Sequence, residues 1–225
     1  MLADLDAVGV DRLLCLGDIV GYGADPGPVV DMLRGRDALA VAGNHDHAAT
    51  GQTDLDWFNP YARRAAEWTA GQLTPDQARY LAALPLVVEH AGVTLVHSFP
   101  ENPAEWPYLV SWDDGEPAFA AFDTRVCFVG HSHLPAVWTL REDGRLDFRR
   151  GRGRTVLKPG ERYLVNVGSV GQPRDGDPHA GYTVWDIESG DVEIRRVPYD
   201  VEEARRRVYA AGLPHILGDR LLRGR

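Results

Sequence analysis

Four apolar runs in this chain end the same way, in a turn that leads straight to a side chain able to bind a metal or move a proton. Arg12–Leu16 leads to Gly17-Asp18, and Ala38–Ala42 to Gly43-Asn44-His45-Asp46. Val93–Val96 leads to His97-Ser98, and Arg125–Val129 to Gly130-His131-Ser132-His133. Apolar runs of this length, bounded by turn residues, predict short buried strands. A helical segment, Pro28–Arg34, lies between the first two. Before them, the three-residue steps of Leu2, Leu5 and Val8 mark the end of a helix, closed by Gly9 as a C-cap. Helix, strand, helix, strand is the pattern of a parallel sheet with crossover helices. Ligands of such sheets bind beyond the carboxyl ends of the strands. The four endings therefore predict one shared site.

The rest of the chain predicts helices from Pro60 and from Thr74-Pro75, the latter an N-cap threonine before an N1 proline. Hairpins then flank Ala91-Gly92, Asp143-Gly144 and Ser189-Gly190, with a further strand over Tyr163–Val167. Terminal helices are expected over Glu202–Tyr209 and Ile216–Leu222. No repeat or interdomain linker interrupts the 225 residues, so residues 1–225 are expected to form a single domain. The expected class is α/β, with two mixed β-sheets packed as a sandwich flanked by helices.

Composition narrows the function. A formal net charge of −9 argues against coating nucleic acid, although metal ions reverse the field locally and still admit a phosphate. No run of about 18 apolar residues predicts a membrane span, and no basic-then-apolar leader opens the chain, so a cytoplasmic protein is expected. Cys15 and Cys127 sit in apolar runs and read as buried, reduced thiols.

Each polar ending alone has a plain structural reading: a turn, a helix cap or a core histidine. Together they offer Asp18, Asn44, His97, His131 and His133, a mixed oxygen and nitrogen set. Such a set suits Mn, Fe, Zn, Co or Ni better than calcium. The pair His131 and His133, at one strand exit, is the most informative part.

The order of these blocks resembles the calcineurin-like metallophosphoesterases, whose motifs run D-x-H, G-D, G-N-H-[DE], H and G-H-x-H. Four of the five stand here in order, and Asn166–Pro178, NVGSVGQPRDGDP, is similar to the bacterial YfcE-like phosphodiesterase branch. The resemblance implies a dinuclear centre, with manganese the expected metal. Asp18 would bridge the two ions; Asn44, His97 and His131 would complete one shell, and His133 would ligate the other ion. His45 would act as general acid beside the ester, and Arg174 would contact a phosphate. Two ions about 3.5–4 Å apart clamp phosphoryl oxygens and activate a bridging hydroxide. The family's D-x-H block, on its first strand, has no counterpart in this sequence, so an N-terminally truncated domain lacking that strand is expected. The expected substrate is a small or nucleotide-like phosphate ester, and the expected activity a phosphodiesterase. The alternatives are a non-catalytic scaffold, favoured by the absent block, and a protein or dinucleotide phosphatase. Protein substrates rank lower because Gly21-Tyr22 stands where protein phosphatases carry an aspartate-arginine.

Among the remaining residues, Arg149, Arg150, Arg152 and Arg154 read as a solvated hairpin loop. Trp57, Trp68, Trp106 and Trp112 read as core closers. His47, His90, His179 and His215 read as structural or surface residues.

Overall fold

The computed structural model describes residues 1–225. The chain runs α1 (Leu2–Val8), β1 (Leu14–Cys15), α2 (Pro26–Gly35), β2 (Leu39–Ala40), α3 (Asn44–Ala49), α4 (Pro60–Gln72), α5 (Pro75–Ala82), β3 (Val87–His90) and β4 (Val93–Val96). It continues with α6 (Gly115–Ala120), β5 (Val126–Val129), β6 (Ala136–Leu140), β7 (Leu146–Arg150), β8 (Gly153–Val156) and β9 (Arg162–Asn166). It closes with β10 (Ala180–Asp186), β11 (Asp191–Val197), α7 (Val201–Ala210) and α8 (His215–Asp219).

Six strands form one mixed sheet in the order β3-β4-β5-β9-β6-β7, with β4, β5 and β9 parallel. Alternation along these strands builds two cores. Val93, Leu95, Val126, Phe128, Val137, Tyr163 and Val165 point to one face, where Leu16, Val41, Leu157, Val192 and Ile194 cover them. Cys127, Val129, Trp138 and Leu164 point to the other, against Phe119 and Phe122 around α6. The covering layer on the first face comes in two pieces, the parallel pair β1-β2 and the antiparallel sheet β10-β11-β8. β1 pairs only with β2, and β10 only with β11, so each keeps one edge without a ladder partner.

Local chemistry explains the helix starts. Thr74 Oγ1 accepts from Gln77 N at 3.2 Å while Gln77 Oε1 accepts from Thr74 N at 3.0 Å, with Pro75 in the first turn. Asn59 Oδ1 accepts from Tyr61 N and Ala62 N ahead of α4. The β3-β4 turn puts Ala91 and Gly92 both at positive φ, as a two-residue hairpin loop requires.

Three expectations are corrected. The arginine-rich stretch is solvated but is no hairpin: β7 and β8 lie in different sheets, so residues 149–154 carry the chain from one layer to the other. Trp57 is 88% exposed and Trp112 50% exposed, so neither closes the core, where the buried tryptophan is Trp138. The helices α3 and α6 were not expected; each is six residues long. No helix is long and apolar enough to cross a membrane.

Candidate metal centre

The exits of β1 and β2 pass so closely that neither carries a side chain at the crossing. A Cβ on Gly17 would lie 2.5 Å from Gly43 N, and a Cβ on Gly43 would lie 2.2 Å from Asp18 Oδ1. Gly17 also holds φ +80, which glycine adopts freely. This crossing sets Asp18 against the start of α3, where Asp18 Oδ1 accepts from His45 N at 2.9 Å. Asp46 turns back into the same junction and accepts from Gly43 N at 2.9 Å and Val20 N at 3.2 Å. Burial and the neighbouring Asp18 charge push the Asp46 carboxyl up to about 7.

His97 follows β4 and crosses to the β1 exit, where its Nδ1 donates to Leu16 O at 2.6 Å. That bond fixes the ring and leaves Nε2 facing Asp18 Oδ2 at 3.3 Å and His131 Nδ1 at 3.1 Å. Asp18, His97 and His131 each offer a ligand atom, all within 4.8 Å of one another. Two more acceptors complete the cluster's polar inventory: Asn44 Oδ1 and His131 Nε2 are buried and have no hydrogen-bond partner. Buried polar atoms without partners are costly, and a divalent cation bound here would satisfy both. The residues present therefore fit a metal ion.

Electrostatics agree. Burial would raise the Asp18 carboxyl, but the charges of His97 and His45 outweigh it and hold the group below the usual carboxylate range. His97 moves the opposite way: burial alone would lower it, and Asp18 raises it above the ordinary imidazole value. Burial first, and then the His97 charge, drop His131 to about 3.

His133, two residues beyond His131, is held from the other side. Its Nδ1 donates to Gln172 O at 2.6 Å, and its carbonyl accepts from Arg174 N at 3.3 Å. Its ring is 8% exposed and lies outside the tight Asp18–His97–His131 group. Burial and then the Arg174 charge drop it to about 3. His45 is 5% exposed, with Nδ1 unpartnered, and burial holds it below the ordinary value. Arg174 is half-buried and donates to Gln172 Oε1 at 3.0 Å.

Several contributors escape a reading of motifs. Asn166, at the end of β9, is fully buried; its Nδ2 donates to Gly130 O at 2.6 Å and Ser132 Oγ at 2.9 Å, bracing the loop that carries both histidines. It is a fifth polar strand ending, and that position was the available signal. An aromatic collar surrounds the centre. Tyr22 lies 4.4 Å from the His45 ring and Phe58 meets the same ring edge-on at 5.3 Å. Tyr108 stacks on His131 at 4.2 Å, and Trp106 meets His97 at 5.8 Å. Distance in sequence hides these contacts.

The comparisons with known proteins point the same way. Residues 1–190 match the model of the calcineurin-like phosphoesterase superfamily domain. The uncharacterised protein MJ0912 of Methanocaldococcus jannaschii is 39% identical over 229 aligned residues, which span all of this chain and 91% of that protein. A crystal structure of a metallophosphoesterase from Sphaerobacter thermophilus superposes with a TM-score of 0.85 at 38% identity, over 100% of this chain and 93% of that one. The structure of protein PH1004 from Pyrococcus horikoshii OT3 shares the fold, with a TM-score of 0.76 at 18% identity over 100% and 90% of the two chains. A metal-fitting cluster at converging strand ends, on this fold and with this sequence match, places the chain in the calcineurin-like phosphoesterase superfamily, as a phosphoesterase hydrolase.

Proposed function

We propose that the protein is a metal-dependent phosphodiesterase that works with a dinuclear centre on small, nucleotide-like phosphate esters. The observation that carries this reading is the convergence of Asp18, His97 and His131 within 4.8 Å, beside the orphaned acceptors of Asn44 and His131. Asp18, Asn44, His97 and His131 would hold one divalent ion, manganese in our reading, and Asp18 with His133 would hold the other. Such ions polarise phosphoryl oxygens and lower the pKa of water, which is the chemistry ester hydrolysis needs.

The protein's own groups supply the rest. His45 hangs from Asp18 by its backbone and is free to use its ring, whose Nδ1 has no partner. Burial lowers the basicity of the ring, and a phosphate anion beside it would raise it, so a bound ester would favour the protonated ring. It then gives that proton to the leaving oxygen. The carbonyls of Leu16 and Gln172 hold the rings of His97 and His133 in the tautomer that leaves Nε2 free. The collar of Tyr22, Phe58, Trp106 and Tyr108 supports a planar, nucleotide-like leaving group, since aromatic faces favour stacking. Hydrolysis of bis-p-nitrophenyl phosphate in Mn²⁺, stopped by EDTA, tests the reading; a purified, folded protein that binds Mn²⁺ and leaves this ester intact would reject it.

A further inference from the structure

Three half-buried arginines in this protein pair with no Asp or Glu side chain. One of them, Arg162, is satisfied by the carbonyls of Phe119, Phe122 and Thr124. The other two are Arg174, whose backbone N–H donates to His133 O, and Arg220, in the C-terminal turn that docks on the loop carrying Arg174. Neither pairs with an Asp or Glu, although twelve other arginines do. Arg174 donates only to Gln172 Oε1, and its guanidinium lies 5.8 Å from the Tyr22 ring. Arg220 donates through Nε to Arg225 O at 2.6 Å and leaves both terminal nitrogens without a protein acceptor.

The fold brings the pair together deliberately. The 3₁₀ turn Arg220–Arg223 ends at Gly224, whose carbonyl accepts from Gly176 N at 2.9 Å, so the C-terminal segment docks on the loop that carries Arg174. A Cβ on Gly224 would meet the Asp177 backbone at 2.6 Å, which leaves no room for another residue there. Two like charges held together, partly out of water, repel; burial and then Arg174 lower the pKa of Arg220. Gln172, 4% exposed, adds a buried Nε2 that has no partner. Donors and positive charge are gathered here with nothing to receive them. Tyr22 touches both Arg174 and His45, so the cluster adjoins the position assigned to the leaving group.

We propose that Arg174 and Arg220, with Gln172, form an anion subsite for a second, non-scissile phosphate, so that the preferred substrates carry two linked phosphates. The proposal rests on the reading of the metal centre given above. Two guanidiniums suit the adjacent oxygens of a diphosphate better than a single phosphate, because each fork takes its own pair of oxygens.

Calorimetry on the metal-free protein tests it, with inorganic pyrophosphate and orthophosphate as probes. Pyrophosphate should bind more tightly than orthophosphate. Arg174→Met and Arg220→Met should each weaken pyrophosphate about tenfold, with Arg220→Lys falling between Arg220→Met and the unaltered protein. Arg223→Met, on the same turn but exposed, should leave the affinity unchanged. Thermal unfolding of each variant identifies any that misfold, and Arg220→Lys then carries the test. Equal affinity for the two anions, or equal behaviour of the variants at 220 and 223, overturns the subsite. In Mn²⁺, the ratio of kcat/KM for a dinucleoside diphosphate to that for bis-p-nitrophenyl phosphate should fall about tenfold in Arg220→Met; an unchanged ratio overturns the substrate assignment. If neither ester is cleaved while pyrophosphate binds as expected, the hydrolase reading of the metal centre fails and the anion site stands.

Discussion

The backbone N–H of His45 donates to Asp18 Oδ1 at 2.9 Å, while Oδ2 of the same carboxylate faces His97 Nε2 at 3.3 Å. One side chain thus positions the proposed acid through its backbone and the proposed metal site through its charge. Asn44 and His45, adjacent in sequence, have different tasks in the proposed site.

Substitution should separate those tasks. His45→Ala should lower turnover about 10²–10⁴-fold with metal content near normal, because the ring acts on the leaving group. Asn44→Ala and His131→Ala should lose metal and activity together, each removing a ligand atom. Metal analysis by plasma mass spectrometry beside steady-state kinetics reads the contrast. Loss of metal from His45→Ala would make His45 a ligand.

Mn²⁺ should stabilise the fold. A ligand at 100 times its Kd adds about 2.7 kcal/mol when it binds only the folded state. A rise in the midpoint of thermal unfolding is expected on adding Mn²⁺, reversed by EDTA and absent in His131→Ala. An unchanged midpoint in the unaltered protein, across the concentrations that support hydrolysis, would count against the assigned ligands.

Gly17→Ala should be among the most damaging single-methyl additions. The new Cβ would lie 2.5 Å from Gly43 N at a residue that already holds φ +80. A loss of about 3 kcal/mol or more is expected, read from the shift of the urea midpoint. Gly71→Ala, whose Cβ would meet nothing within 4 Å, is the control and should not destabilise.

The two thiols should report opening of the two layers. Burial pushes Cys15 up to about 12 and raises Cys127 further, so both are protonated and slow toward Ellman's reagent at pH 8. Cys15 is half-buried in a two-stranded pair with one unpaired edge, whereas Cys127 is fully buried at the centre of six strands. Local opening should expose Cys15 first. Native-state labelling, resolved with Cys15→Ala and Cys127→Ala, should show Cys15 reacting at least tenfold faster; equal rates would mean that both layers open as one unit.

The residues that could be read from sequence were those whose local pattern matches their place in the fold. The exits after β1, β2, β4 and β5 were legible because each apolar run stops at a glycine or a histidine, and the structure brings Asp18, His97 and His131 together there. The spans of β1 and β2 were expected to be five residues and are two, because ladder bonds form on only one side of β1. α3 was illegible for a different reason. Asn, His and Asp are weak helix formers, and its first turn is held by Asp18 from the exit of β1 and by Asp46 folding back on Gly43. β8 hid behind Gly151 and Gly153, whose φ of +86 and +138 let the chain turn from one sheet to the other. The pairing of Arg174 with Arg220 depends on the docking of the C-terminal turn, which no local pattern announces.

Asp18, His131 and His133 hold φ of 52°, 59° and 60°, conformations that cost an ordinary residue roughly 1–2 kcal/mol and glycine almost nothing. At each of these positions glycine would relax the backbone and remove a side chain with its bonds: Asp18 to His45 N, His131 to His97, and His133 to Gln172 O. The gain of about 1–2 kcal/mol in the backbone would be set against the loss of those contacts. At 18, 131 and 133 the left-handed turn and the polar contact therefore come as one unit, and no single substitution frees the backbone while keeping the side chain.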